Sequence, residues 1–215
     1  MVCSAASAER PTWRGWMHAA AFVVAVPASV LLVLVADGPS GKTSAAIYGA
    51  TLCAMFGLSA AYHRLARSET ARRRMQRLDH VGIYLLIAGT YVPLAVVVLP
   101  RAWGIPLLSV VGSAAVFGAI MKIAAFERVR WLSYALYPII GWAAVAAAPA
   151  LLDHLTGFQL FFVVGGGLLY SVGIPVLFLQ RPNPWPDTFG YHEIWHAFVT
   201  VAAAMHFVAV ASMLA

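Results

Sequence analysis

Charge is what this sequence of 215 residues has least of, with 10% of its positions Asp, Glu, Lys or Arg and 62% hydrophobic. An ordinary soluble domain carries about 25% charged residues, so the chain cannot solvate a globular surface and belongs in lipid. Segments of alternating apolar and polar residues, which a membrane β-barrel needs, are also missing. Cysteine is almost absent: Cys3 lies in the N-terminal tail and Cys53 in the middle of an apolar run. That excludes a disulfide framework and a thiolate metal site. No internal repeat and no long polar stretch is found, so residues 1–215 read as a single integral membrane domain.

Long apolar runs are what the sequence does have. A bilayer core takes about 20 apolar residues per helix, and low-charge stretches of that length fall at 16–36, 43–63, 79–99, 104–124, 131–150, 157–179 and 191–213. Runs such as 81–93 are apolar on every face, as expected where backbone polar groups can be satisfied only within a helix. The expected architecture is therefore an all-α bundle of seven transmembrane helices. The first run, from Trp16 to Ala36, is too long for the apolar region of a cleaved signal peptide and reads as a span.

The placement of Lys and Arg predicts the orientation, because short cytoplasmic loops retain basic residues. With the N-terminus in the cytoplasm, Arg10, Arg14, Arg64, Arg67, Arg72, Arg73, Arg74, Arg77, Lys122, Arg128, Arg130 and Arg181 share the inner face. Only Lys42 and Arg101 fall outside. An inner (plasma) membrane location follows. The net charge of +6 is concentrated at Arg64–Arg77, read as a juxtamembrane loop, which suits anionic lipid headgroups rather than nucleic acid.

Ionisable residues at membrane depth are costly and mark function. Four residues apart on a helix is one turn on one face, which pairs Ser59 with His63 and His192 with His196. Two imidazoles on one turn, a third from another helix and a water make the tetrahedral set of a catalytic zinc site. His63 is the expected third ligand. Asp79 begins the third span at the same depth, and could bind the metal, orient a ligand or take a proton from a water on it. Its helix face continues through Gly82, Ile83, Leu86 and Thr90 and is expected to line a pocket. Ser59 could hydrogen-bond Asp79 or stabilise an oxyanion. His18, His80 and His154 read as interfacial, and His206 as a hydrogen-bonded packing residue.

HisGluIleTrpHis at 192–196 also matches the H-E-x-x-H helix of metalloproteases, in which the glutamate is the general base. An intramembrane protease is thus a rival in which Glu193 is essential. In the three-histidine reading Glu193 points about 100° from His192 and could snorkel to the interface.

Three segments carry a longer likeness: SerAlaAlaTyrHis (59–63), LeuAspHisValGlyIleTyrLeuLeuIleAlaGlyThrTyrValPro (78–93) and PheGlyTyrHisGluIleTrpHisAlaPheVal (189–199). With HisPhe at 206–207, they make the chain resemble the hemolysin III family, related to adiponectin and progestin receptors and to alkaline ceramidases. The resemblance implies a seven-helix fold and a zinc ion near the cytoplasmic side held by His63, His192 and His196. Asp79 would stand near the metal-bound water, with Ser59 in the same motif. It also implies a lipid amide hydrolase activity, with a fatty acyl chain in the bundle. Only about 15 residues precede the first span, so a hormone-receptor role is not expected. Some bacterial members carry a cytolysin label, although nothing here resembles a secreted toxin. The non-enzymatic alternative is a zinc-stabilised membrane sensor or homeostasis protein. A structural zinc normally has four protein ligands, and the count of three favours the enzyme. Imidazole also suits iron, copper and nickel.

Overall fold

The computed structural model describes residues 11–128 and 130–215; Cys3 and Arg10 lie outside the described residues. Seven helices are long and apolar enough to cross a membrane, and no strand ladder occurs among the described residues. They are α1 (Trp16–Val35), α2 (Gly38–Leu65), α3 (Glu69–Pro93) prolonged by a π-helical turn (Leu94–Val98), α4 (Arg101–Ala124), α5 (Arg130–Gly141) with a 3-10 turn (Ala143–Ala147) and α6 (Ala148–His154), α7 (Gly157–Leu179) and α8 (Tyr191–Leu214). α5, the 3-10 turn and α6 together make the fifth crossing.

The third helix departs most from its hydropathy. It begins at Glu69 rather than near Asp79, so most of the arginine cluster read as a loop is helical. The cause is local. Ser68 caps the helix by accepting from the Ala71 N–H at 3.2 Å, and Glu69, favoured beside the positive end of the helix dipole, accepts from Arg73 one turn on at 3.0 Å. Hydropathy marks where lipid begins, whereas capping marks where the helix begins. Arg77 then reaches across to donate to the Ile123 carbonyl at 2.9 Å, satisfying an open group in the last turn of α4.

The fifth crossing is broken instead of continuous. Backbone groups freed inside a membrane need partners from neighbouring helices, and Tyr91 of α3 supplies them. Its hydroxyl donates to the Gly141 carbonyl at 2.7 Å and accepts from the Ala144 N–H at 3.0 Å.

α8 packs against α1, α2 and α3 as well as α7. The inner core joins Leu32 of α1, Tyr48, Leu52, Met55 and Phe56 of α2, Leu86 of α3 and Val199, Ala203 and Val210 of α8. The outer faces of α1, α4 and α7 expose large apolar side chains such as Val24, Leu34, Ile105, Val110, Phe161 and Leu179. This is an inside-out distribution for water and the ordinary one for lipid. The three consecutive glycines of α7 serve packing within the chain: a Cβ on Gly166 would stand 2.4 Å from a His206 ring carbon. His206 itself holds the Val163 carbonyl at 3.0 Å, as its packing role requires.

Candidate metal centre

The histidines of α2 and α8 converge at the arginine-rich end of the bundle. One nitrogen from each of His63, His192 and His196 lies within 4.8 Å of the other two. His63 and His196 are buried and His192 is half-buried. The His63 Nε2 to His192 Nε2 distance is 3.2 Å. Zn–N bonds of about 2.0–2.1 Å at tetrahedral angles put neighbouring ligand nitrogens about 3.3 Å apart, so this pair already stands at the edge length of such a site. The ring centroids of His192 and His196 are 4.5 Å apart and those of His63 and His196 5.1 Å. The three donors therefore lie close enough together to bind one metal ion.

Asp79 stands outside this cluster of mutually close donors. Ser59 of α2 is a neighbour of its carboxyl, where α3 packs against α2. Gly82 brings α3 so near α2 that an added Cβ would lie 3.2 Å from the Met55 Cα, and Leu86 is buried in the core. Of the face expected to line a pocket along Gly82, Ile83, Leu86 and Thr90, Gly82 and Leu86 are taken up by helix packing while Ile83 and Thr90 stay half-buried.

Two polar residues behave otherwise than their sequence positions suggest. Glu193 does not snorkel: its side chain is 1% exposed and both oxygens are engaged. Oε1 accepts from Arg14 Nε, and Oε2 accepts from the Gly190 N–H at 2.8 Å, capping α8. An acidic residue three positions after the cap residue is the normal closing partner of a helix N-terminus. The glutamate of the H-E-x-x-H pattern is thus occupied away from the donors.

His18 is the other. It is 3% exposed and not interfacial, with its ring stacked on His196 at 3.8 Å between centroids and 3° between planes. His154 is exposed near its helix end, as expected. His80 packs among Phe126 and Tyr134 and shares a hydrogen bond of 3.3 Å with the Tyr137 hydroxyl.

The segment before α1 lies against the α7–α8 loop and His63. Thr12 and Trp13 donate backbone hydrogen bonds to Asp187 and Thr188 in the α7–α8 loop at 3.0 and 3.1 Å. Arg64 lies 4.2 Å over the Trp16 ring, and Gly15 lies against His63. Gly15 has φ +82, and a Cβ there would meet the His63 Cβ at 2.6 Å. Hydropathy carries no trace of this clasp, although Arg14 and Gly15 before an apolar run were a visible signal. Gly15→Ala combines a left-handed backbone with a clash against the His63 Cβ. It is expected to destabilise the fold by about 2 kcal/mol, as measured by thermal unfolding in detergent.

Comparison with known proteins gives concordant results. A family model described as Haemolysin-III related matches residues 6–207. The chain is 33% identical over 194 residues to Hemolysin-3 of Bacillus cereus, covering 88% of this chain and 85% of that protein. It is 32% identical over 195 residues to the Hemolysin-3 homolog of Bacillus subtilis (strain 168), covering 88% and 87%. Similarity extends to the Monocyte to macrophage differentiation factor of Homo sapiens, 29% identical over 205 residues, covering 91% and 80%.

Proposed function

The chain belongs to the haemolysin-III-related family and is a multi-pass membrane protein, and from that premise we propose that it is a zinc-dependent hydrolase of lipid amides or esters in the inner (plasma) membrane. Its N-terminus and metal centre face the cytoplasm in this proposal, as the distribution of basic residues supports. The observation that carries the proposal is the convergence, among the described residues, of three imidazole donors from two helices, with the Asp79 carboxyl outside the set. Zinc in a three-histidine site acts as a Lewis acid and activates water near neutral pH.

The chain's own groups supply the rest. The Asp79 carboxylate accepts the proton of the attacking water, and the Ser59 hydroxyl holds that carboxylate in place. Glu193 and Arg14 fix the start of α8, and with it the direction of His192 and His196. A substrate drawn from the bilayer has its carbonyl at the depth of the donors and its acyl chain among the apolar helices. Support comes from the side-chain arrangement and from family membership.

The test is metal content by mass spectrometry on protein purified without chelators, wild type beside His63→Ala and His196→Ala. About one zinc per chain in wild type and loss of it in both variants is the expected outcome. A wild type without metal would remove the basis of the hydrolase.

A further inference from the structure

We propose that His18 is a positioning residue of the metal centre, fixing the ring plane of His196 by stacking and the Ser59 hydroxyl by a hydrogen bond. This rests on the three-histidine metal reading and adds to it a histidine from a helix that contributes no ligand.

Four observations converge on it. His18 is almost wholly buried, although a polar ring near the start of a lipid-facing helix has an easy route to the interface. Its Nδ1 lies 2.8 Å from Ser59 Oγ. Its ring is parallel to that of His196, and Phe56 meets it edge-on at 5.2 Å, so it has little room to turn. Its nitrogens do not join the cluster of the three donors, so it acts through its neighbours rather than as a ligand.

The stack bears directly on ligation. An imidazole donates a lone pair in the plane of its ring, so any rotation of His196 about its ring axis swings the donor off the site. A parallel ring 3.8 Å away blocks that rotation on one face. Partners of this kind around metal-binding histidines set ring orientation and donor strength.

The hydrogen bond gives the second effect its direction. A serine hydroxyl has one proton, and an ionised carboxylate can only accept. Ser59 has His18 on one side and Asp79 on the other. When its proton goes to Asp79, His18 must donate from Nδ1–H, and the chain runs from His18 through Ser59 to Asp79. His18 Nε2 makes no hydrogen bond of good geometry.

The test uses the full chain in detergent, with three readouts: zinc affinity by chelator competition, the visible absorption of the cobalt(II)-substituted protein, and thermal stability without metal. His18→Ala is expected to weaken zinc binding about 10- to 100-fold and to shift the cobalt bands. His18→Phe keeps a stacked ring and should recover most of the affinity, while His18→Asn keeps a donor near the Nδ1 position and should not. Ser59→Ala should shift the cobalt bands in the presence of His18. Wild-type affinity and spectrum in His18→Ala overturn the proposal. So does a drop in metal-free stability with no spectral change, which is the mark of packing alone. Should His18→Ala fail to fold, wild-type affinity and bands in His18→Asn, which lacks the stacked ring, overturn it equally. A wild type that takes up neither zinc nor cobalt sinks the metal reading itself, an outcome visible before any variant is compared.

Discussion

Asp79→Asn is expected to keep its zinc and to lose lipid amide or ester hydrolysis about 10²- to 10⁴-fold, the usual contribution of a positioned general base. The two halves of that result are separable because Asp79 is outside the cluster of metal donors yet linked to the site through Ser59. Asparagine preserves shape and can accept from the Ser59 hydroxyl through its amide oxygen, but it cannot take up a proton. Metal content and turnover are measured on the same preparation. Loss of the metal along with activity would make Asp79 a ligand. Full activity with metal retained would remove its role as base, and the site would then serve as a staple between α2 and α8.

Glu193→Ala is expected to cost about 1–3 kcal/mol of stability, the range for leaving a buried hydrogen-bonding group without its partner, since Arg14 is only half-buried. The substitution strands Arg14 and the Gly190 N–H together, since the two Glu193 oxygens serve one each. Unfolding in detergent should show the loss without metal, because the defect lies in the start of α8 and not in the donors. Glu193→Gln distinguishes this role from that of a protease base. Its amide oxygen can still accept one of the two hydrogen bonds, so the variant should fold, bind about one zinc and turn over within a few-fold of wild type. A folded, zinc-loaded Glu193→Gln protein with activity abolished would instead restore the H-E-x-x-H reading.

The fate of individual residues shows which inferences from sequence hold. The proximity of His63, His192 and His196 was legible because each helix fixes depth and face by its own repeat, and the sequence put the three at one depth. His18 was not. Its position near a span end is equally compatible with the interface and with the site, and only the contact of α1 with α8 decides between them. Glu193 shows the same limit from the other side. Its direction on the helix, away from His192, follows from the repeat, whereas its burial depends on Arg14, 179 positions distant in the chain.

By itself the sequence determined that this chain crosses a membrane in seven helices, because the need to satisfy every backbone group in lipid ties composition directly to secondary structure. It also determined which histidines share a depth. The tertiary structure decided which helix faces meet. That turned the arginine cluster into a helix end paired with α4, packed Gly82 and Leu86 of the Asp79 face into the core, tied Glu193 to Arg14 and stacked His18 on His196. The reason is physical: these helices are apolar around most of their circumference, so hydropathy records only depth, whereas rotation and neighbours are set by small residues and paired polar groups that come together only once the bundle is packed.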